Sequence, residues 1–185
     1  MIKKIFFFLN SVLILIMILI KPSISDYKKK FFDHKINLID GKVLELSKYS
    51  DHVVLLVNTA SYCGFTKQYN DLQKLWVNYR EKNFVVIAIP SNSFNQEKDK
   101  NADIKNFCET NFNITFPITE LSIVKGDEAN EIYKWAELNY GKSAVPKWNF
   151  HKILIGKNGK IIDTFSPFAN PLSRKIVKII DENLN

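Results

Sequence analysis

Residues 53–66 read Val-Val-Leu-Leu-Val-Asn-Thr-Ala-Ser-Tyr-Cys-Gly-Phe-Thr, and the fold is inferred outward from them. The apolar run Val53–Val57 is typical of a strand buried on both faces. It breaks into a turn of small residues that holds Cys63, and apolar residues at helical spacing follow over residues 67–80. A cysteine at the N-terminus of a helix meets free backbone N–H groups that favour thiolate over thiol. The stretch therefore predicts a nucleophilic sulfur.

The elements around this stretch predict an α/β protein. The apolar run Phe84–Ile89 completes a β-α-β unit and places Cys63 at the carboxyl end of a strand, where α/β sheets bind ligands. Asp40-Gly41 and Asn158-Gly159 each lie between apolar alternations and predict two β-hairpins. Further helices are predicted over residues 101–111, from Asp127 onward, and over residues 171–183. This order predicts a mixed central sheet with helices on both faces, as in a thioredoxin-like fold.

The chain has two cysteines, Cys63 and Cys108. A thioredoxin-type oxidoreductase would need a second cysteine three residues after the first, and that position is Thr66. Cys108 lies instead on the helix predicted over residues 101–111. The arrangement is typical of a thiol peroxidase, in which peroxide oxidises one cysteine and a distant one resolves it. A structural disulfide, and inert buried thiols, are the alternatives.

Hydrogen-bond donors near Cys63 would assist thiolate attack on a peroxide O–O bond. Neutral donors suit this role because they need no protonation at the working pH. The loop over residues 90–97 lies at the same sheet end as Cys63 and offers the amides of Asn92 and Gln96. The segment before the second hairpin offers the indole of Trp148 and the amide of Asn149.

Residues 1–25 are typical of an export signal. Lys3 and Lys4 precede the apolar run Ile5–Ile20, and small residues at 23 and 25 predict cleavage near Ser25. An uncleaved membrane anchor is the alternative, although the run is short for a span of about 20 residues. In both cases residues 26–185 form one domain outside the cytoplasm, periplasmic or extracellular, with membrane contact only through an uncleaved N-terminal segment.

Charge and histidine placement argue against several kinds of ligand. The net charge of +7 falls to +4 without the three lysines of the predicted signal, and no motif suggests nucleic-acid binding. The basic cluster Lys28–Lys30 is interpreted as a solvated segment. His34, His52 and His151 lack the spacing of metal ligands, so we expect neither a metal nor another cofactor.

Three motifs, in order, resemble those of the glutathione peroxidase family. Residues 58–66 match N-x-A-S-x-C-G-F-T, residues 90–97 approximately match P-x-N-x-F-x-x-Q-E, and residues 148–150 match W-N-F. Phe116-Pro117 resembles a further family segment, and the resemblance extends from about Phe32 to Pro167. It implies a peroxidase that acts in the response to oxidative stress.

The resemblance also implies roles for individual residues. The family's catalytic tetrad falls on Cys63, Gln96, Trp148 and Asn149, with Cys63 in place of the selenocysteine of some animal members. Cys108 matches the resolving cysteine of the cysteine-based branch, which implies a Cys63–Cys108 disulfide. That branch is usually reduced by thioredoxin, so a thioredoxin-like reductant is expected rather than glutathione.

Two questions stay open at this stage. The second motif is one residue shorter than in the family and is followed by Lys98-Asp99 instead of Pro-Gly, so either Gln96 or Asn92 is the loop donor. The substrate is hydrogen peroxide or an organic hydroperoxide. A peroxide-sensing relay that passes its disulfide to a partner protein, and a non-catalytic interaction domain, are the alternative functions.

Overall fold

The computed structural model describes residues 27–185, and the predicted export signal lies outside this range. Its strands are β1 (Lys35–Asn37), β2 (Val43–Glu45), β3 (Val53–Thr59), β4 (Phe84–Pro90), β5 (Lys152–Ile155) and β6 (Ile161–Phe165). Its α-helices are α1 (Gln68–Tyr79), α2 (Asn101–Phe112), α3 (Glu131–Tyr140) and α4 (Arg174–Leu184). No helix within residues 27–185 is long and apolar enough to cross a membrane.

The central sheet has the strand order β4-β3-β5-β6. Strand β3 pairs parallel with β4 and antiparallel with β5, and β5 pairs antiparallel with β6. Strands β1 and β2 form a separate antiparallel pair. The mixed sheet and both hairpins predicted from the sequence are confirmed.

Every residue of β3 and β4 is buried because other elements cover both faces of this sheet. Alternate residues of these strands point to opposite faces. One face packs against α3 and the β1–β2 hairpin. The other face packs against α1, α2 and α4, and Cys63 and Cys108 both belong to that core. The predicted thioredoxin-like layering is therefore confirmed.

Strand pairing brings three distant segments to one edge of the sheet. Thr59 at the end of β3 pairs with Pro90 at the end of β4, so the segments that follow both strands start side by side. Val57 pairs with Lys152 at the start of β5, so the residues just before β5 also lie at this edge. These segments contain Cys63, Gln96 and Trp148-Asn149.

Two predicted helix starts are wrong, and in both cases turn chemistry displaces the helix. Helix α3 begins at Glu131 instead of Asp127, because Gly126 has φ +78° and accepts a turn hydrogen bond from Ala129. Helix α4 begins at Arg174 instead of Pro171, because the side chain of Asn170 accepts from the N–H of Leu172 in a local turn.

The start of α3 can be tested by removing its cap. The side chain of Asn130 accepts a hydrogen bond of 3.0 Å from the N–H of Ile132. We expect Asn130→Ala to lower the free energy of unfolding by about 1 kcal/mol, as measured by urea titration. Glu128→Ala is the control, because Glu128 is exposed and precedes the helix. A larger loss of unfolding free energy in Glu128→Ala than in Asn130→Ala would support the start at Asp127 that the sequence predicts.

Candidate active site

Cys63 lies in a tight turn that a threonine holds closed. Its backbone N–H donates to the hydroxyl of Thr66 at 3.1 Å, and that hydroxyl lies 2.9 Å and 2.7 Å from the carbonyl oxygens of Ala60 and Cys63. The hydroxyl can donate to one of these oxygens at a time. Thr66 therefore occupies the place of the second cysteine of a thioredoxin motif and fixes the backbone of the turn instead.

Helix α1 begins within one residue of the predicted stretch 67–80, but a run of turns separates Cys63 from it. Consecutive turns with i to i+3 hydrogen bonds cover residues 63–70, and α1 begins only at Gln68. Because the field of a helix dipole falls off within the first turn, the predicted position of Cys63 at the helix N-terminus is wrong. A local donor takes its place, since the N–H of Phe65 lies 3.5 Å from the Sγ of Cys63.

The structure brings Gln96 and Asn149 together. The side-chain amide of Asn149 donates to the Oε1 of Gln96 at 3.0 Å, and the backbone oxygen of Gln96 accepts from the N–H of Tyr62 at 2.9 Å. Since Oε1 is occupied, the amide N–H groups of Gln96 remain available as donors. The side-chain oxygen of Asn92 likewise accepts a hydrogen bond, from the N–H of Glu97 at 3.1 Å, so its N–H groups are also available. The contact with Asn149 is what favours Gln96 over Asn92 as the loop donor.

Trp148 sits on the outer side of this group. Trp148 is 42% exposed, and its ring packs against Phe94 with ring centroids 5.3 Å apart. Its backbone oxygen accepts a 3.2 Å hydrogen bond from the side chain of Asn58. Asn149, the next residue, is fully buried. The predicted pair of donors is therefore anchored to strand β3, five residues before Cys63.

Glu97 is a site residue that the sequence analysis missed. It is only 5% exposed, and its Oε1 accepts from the N–H groups of Ser61 at 3.1 Å and Lys98 at 2.8 Å. Burial raises the pKa of its carboxyl group. The carboxylate ties the loop that carries Gln96 to the turn that carries Cys63. The sequence indicated Glu97 only through its place beside Gln96 in the second motif. A glutamate in a loop is ordinarily exposed to solvent, so its burial was not expected.

Cys108 is separated from solvent on α2. The side chain of Cys108 is fully buried. Cys63 and Cys108 are both free thiols. Burial raises the pKa of Cys108 to about 11, and the neighbouring hydroxyl of Tyr69 offsets only part of this rise. In this position Cys108 is a protonated thiol near neutral pH and a poor nucleophile.

Comparison with known proteins decides the family. The sequence profile described as glutathione peroxidase matches residues 31–137. The chain belongs to the glutathione peroxidase family. It is 38% identical over 155 residues to the glutathione peroxidase homolog BsaA of Bacillus subtilis, a match that covers 80% of this chain and 96% of that protein. It is also 37% identical over 152 residues to the glutathione peroxidase-like peroxiredoxin 2 of Saccharomyces cerevisiae, with 77% and 91% coverage.

Membership of this family makes the chain a peroxidase, as its motifs predict. A more distant likeness bears on the fold alone. A thiol:disulfide interchange protein DsbE from Chlorobium tepidum superposes with a TM-score of 0.61 at 24% identity, over 86% of this chain and 99% of that one.

Within residues 27–185, no group of three or more His, Cys, Asp or Glu side chains is arranged to hold a metal ion.

The role of Glu97 is testable with two variants. Glu97→Ala removes the acceptor of the Ser61 N–H, and a buried unpaired N–H costs about 1–3 kcal/mol. We expect the loop to shift and the second-order rate of Cys63 oxidation by hydrogen peroxide to fall about tenfold or more in stopped-flow measurements. Glu97→Gln keeps one side-chain oxygen and should stay near the wild-type rate. Equal rates in Glu97→Ala and the wild type would show that Glu97 does not position the site.

Proposed function

We propose that this peroxidase reduces hydrogen peroxide and organic hydroperoxides with Cys63 as the attacking group and Cys108 as the resolving group. The observation that carries the proposal is the hydrogen-bonded amide pair of Gln96 and Asn149, fastened through Tyr62 to the Cys63 turn. Neutral donors around a sulfur suit a reaction in which negative charge moves from sulfur to oxygen. A turn that only packed a cysteine into the core would have no use for them.

The first step transfers one oxygen atom to the sulfur. The thiolate of Cys63 attacks the terminal oxygen of the hydroperoxide, an S–O bond forms and the O–O bond breaks. The sulfur loses two electrons and becomes a sulfenic acid, while the leaving alkoxide or hydroxide takes a proton and departs as alcohol or water. Donors from Gln96, Trp148 and Asn149 would stabilise the charge that develops on the leaving oxygen.

The second step needs Cys108 to leave its buried position. The Cys108 thiolate would attack the sulfur of the sulfenic acid, so that an S–S bond forms and the S–O bond breaks. The leaving hydroxide takes up the proton that the Cys108 thiol gave up and departs as water. A disulfide requires its two Cα atoms to lie within about 7 Å. Opening of α2 would free Cys108 to move toward Cys63 and would also remove the burial that raises the pKa of Cys108. Movement and activation of the second thiol would therefore occur together.

Several features of α2 support a modest cost for this opening. Ile104 and Cys108 are its buried residues, and Phe107 and Phe112 are only partly buried against the same core. No side chain caps its N-terminus at Lys100, and the chain leaves it through Asn113 in the left-handed region, φ +50°. Segments with few buried apolar contacts open locally at a small fraction of the global free energy of unfolding.

A thioredoxin-like protein is the reductant that this proposal favours. An intramolecular disulfide is reduced by a dithiol through exchange, and such a partner needs accessible surface near Cys63. Tyr62 is 62% exposed and Phe168 is 84% exposed, and Phe168 packs edge-on against Phe65, two residues after Cys63. These rings could contact a protein. A relay that hands its disulfide to another partner would use the same surface.

The proposal includes export. The sequence pattern of residues 1–25 supports a signal peptide cleaved near Ser25, or an uncleaved anchor, with residues 26–185 as one catalytic domain outside the cytoplasm. In such an oxidising location the enzyme would need a dedicated dithiol protein to return the disulfide to thiols. N-terminal sequencing of the protein from the medium and from membrane fractions tests both the cleavage and the location.

Two cysteine variants separate the proposed roles. Cys63→Ser should lose nearly all peroxide turnover, because a serine hydroxyl is protonated near neutral pH and is a weak nucleophile. Cys108→Ser should consume one equivalent of peroxide and then stop as a sulfenic acid with a thioredoxin system as reductant. Peroxide consumption and peptide mapping after one equivalent of peroxide measure both results.

Each of the other possible results would indicate a different mechanism for this protein. Turnover in Cys63→Ser would remove the assignment of Cys63. Undiminished thioredoxin-dependent turnover in Cys108→Ser, without a Cys63–Cys108 peptide in the wild type, would indicate a one-cysteine enzyme. A wild-type disulfide that neither a thioredoxin nor a glutathione system reduces at a steady rate would favour the relay.

The donor role of Asn149 has its own test. One positioned donor to a developing charge is typically worth about 2.7–4 kcal/mol, which corresponds to roughly a hundred- to a thousandfold in rate. We expect Asn149→Ala to slow Cys63 oxidation by about that factor. Circular dichroism should show an unchanged fold. Unchanged oxidation rates in both Asn149→Ala and Gln96→Ala would contradict the donor picture.

A further inference from the structure

Lys152 is a buried charged residue to which the proposed mechanism gives no part. Its side chain is fully buried at the start of β5. Its neighbours across the sheet are Val57 on β3 and Phe165 on β6, both apolar. A lysine in such surroundings loses its hydration and is rarely kept unless it makes a specific contact.

The contact that Lys152 makes is with the segment that carries the two donors. Its Nζ donates to the backbone oxygen of Phe150 at 2.8 Å. Phe150 has φ +65°, a left-handed conformation that costs a bulky residue about 1–3 kcal/mol and persists only where its surroundings impose it. This strained residue comes directly after Trp148-Asn149 and sets the direction in which the chain leaves them.

Three hydrogen bonds hold the strained segment in place. The side chain of Asn58 donates to the oxygen of Trp148 at 3.2 Å, and the N–H of Phe150 donates to the oxygen of Asn58 at 2.6 Å. The Lys152 bond is the third. Both side chains that anchor the segment are fully buried, and Asn58 belongs to the same strand that leads to Cys63.

We propose that Lys152 is a positioning residue of the active site, which holds Phe150 in its left-handed conformation and thereby aims the donors of Trp148 and Asn149. The inference rests on the proposed function, because it assigns Lys152 an effect on Cys63 oxidation through Asn149. Lys152 itself touches neither Cys63 nor peroxide in this role.

The charge of Lys152 changes with pH near neutrality. Burial lowers its pKa to about 7. The titratable group beside it is His151, whose pKa burial lowers to about 4, with smaller effects from Lys152 and Lys147, so His151 is neutral at working pH. An ammonium donates a stronger hydrogen bond to a carbonyl than a neutral amine does. The hold on Phe150 should therefore weaken as pH rises through about 7.

The same shift has a consequence for stability with a definite sign. The pKa of Lys152 is lower in the folded protein than its ordinary value of 10.5. Between about 7 and 10.5 the unfolded chain binds the proton and the folded chain does not, so the Lys152 contribution to the free energy of unfolding rises with pH. In a variant without this amine, the free energy of unfolding should rise less steeply with pH over this range.

The test uses full-length Lys152→Met, with Lys152→Arg as the variant that stays charged and Leu154→Ala as the stability control. Leu154 lies two residues further along β5 and is fully buried. We expect Lys152→Met to slow Cys63 oxidation at least tenfold, measured on folded protein, and Leu154→Ala to leave this rate near wild type. The ratio of the wild-type rate to that of Lys152→Met should fall between pH 6 and 8.5. The same fall is expected relative to Lys152→Arg, which keeps its charge, so this comparison stands even if the Met variant does not fold.

A second measurement separates positioning from simple loss of stability. If Lys152 acts through Asn149, the effects of Lys152→Met and Asn149→Ala on the oxidation rate should be strongly non-additive. Wild-type oxidation rates in Lys152→Met, or rate ratios that do not change with pH, would overturn the inference. These results leave the proposed function intact, since that fails only if Cys63→Ser remains active.

Discussion

The antiparallel pairing of β5 with β3 is the interaction on which the site depends. It joins two segments that are about 90 residues apart in sequence and brings Asn58 beside Trp148 and Phe150. The parallel pairing of β3 with β4 adds the loop that carries Gln96. Since every residue of β3, β4 and β5 is buried, the positions of the proposed donors are set by the packed strands of the sheet and not by the loops alone.

Buried polar groups fasten the site to this sheet. Asn58, Glu97 and Asn149 are buried and make hydrogen bonds that connect one active-site segment to another, whereas the buried Lys152 donates to Phe150 within one segment. Taking such groups out of water costs free energy that their hydrogen bonds only partly offset. Their common product is a fixed geometry around Cys63, which is what electrostatic stabilisation of a short-lived charge requires.

The proposed mechanism places a fixed site on one side and an opening helix on the other. The proposed attacking thiol and its proposed donors follow or precede β3, β4 and β5, whose residues are buried throughout. The proposed resolving thiol lies on α2, which has two buried residues and no side-chain cap at its N-terminus. The burial that keeps Cys108 protonated also keeps it from reacting early. Such a division would let oxidation proceed in a fixed site and reserve movement for the second step.

The sequence by itself determined the fold class, both hairpins, the place of Cys63 after a buried strand, and the family, because apolar periodicity and short motifs are local properties of the chain. It misplaced the starts of α3 and α4, where side-chain hydrogen bonds of Asn130 and Asn170 outweigh periodicity, and it did not show the turn held by Thr66 that separates Cys63 from α1. The choice of Gln96 over Asn92, and the parts of Glu97 and Lys152, depended on the tertiary structure. Each of these rests on a partner brought near by strand pairing or by burial, and neither can be read from local sequence.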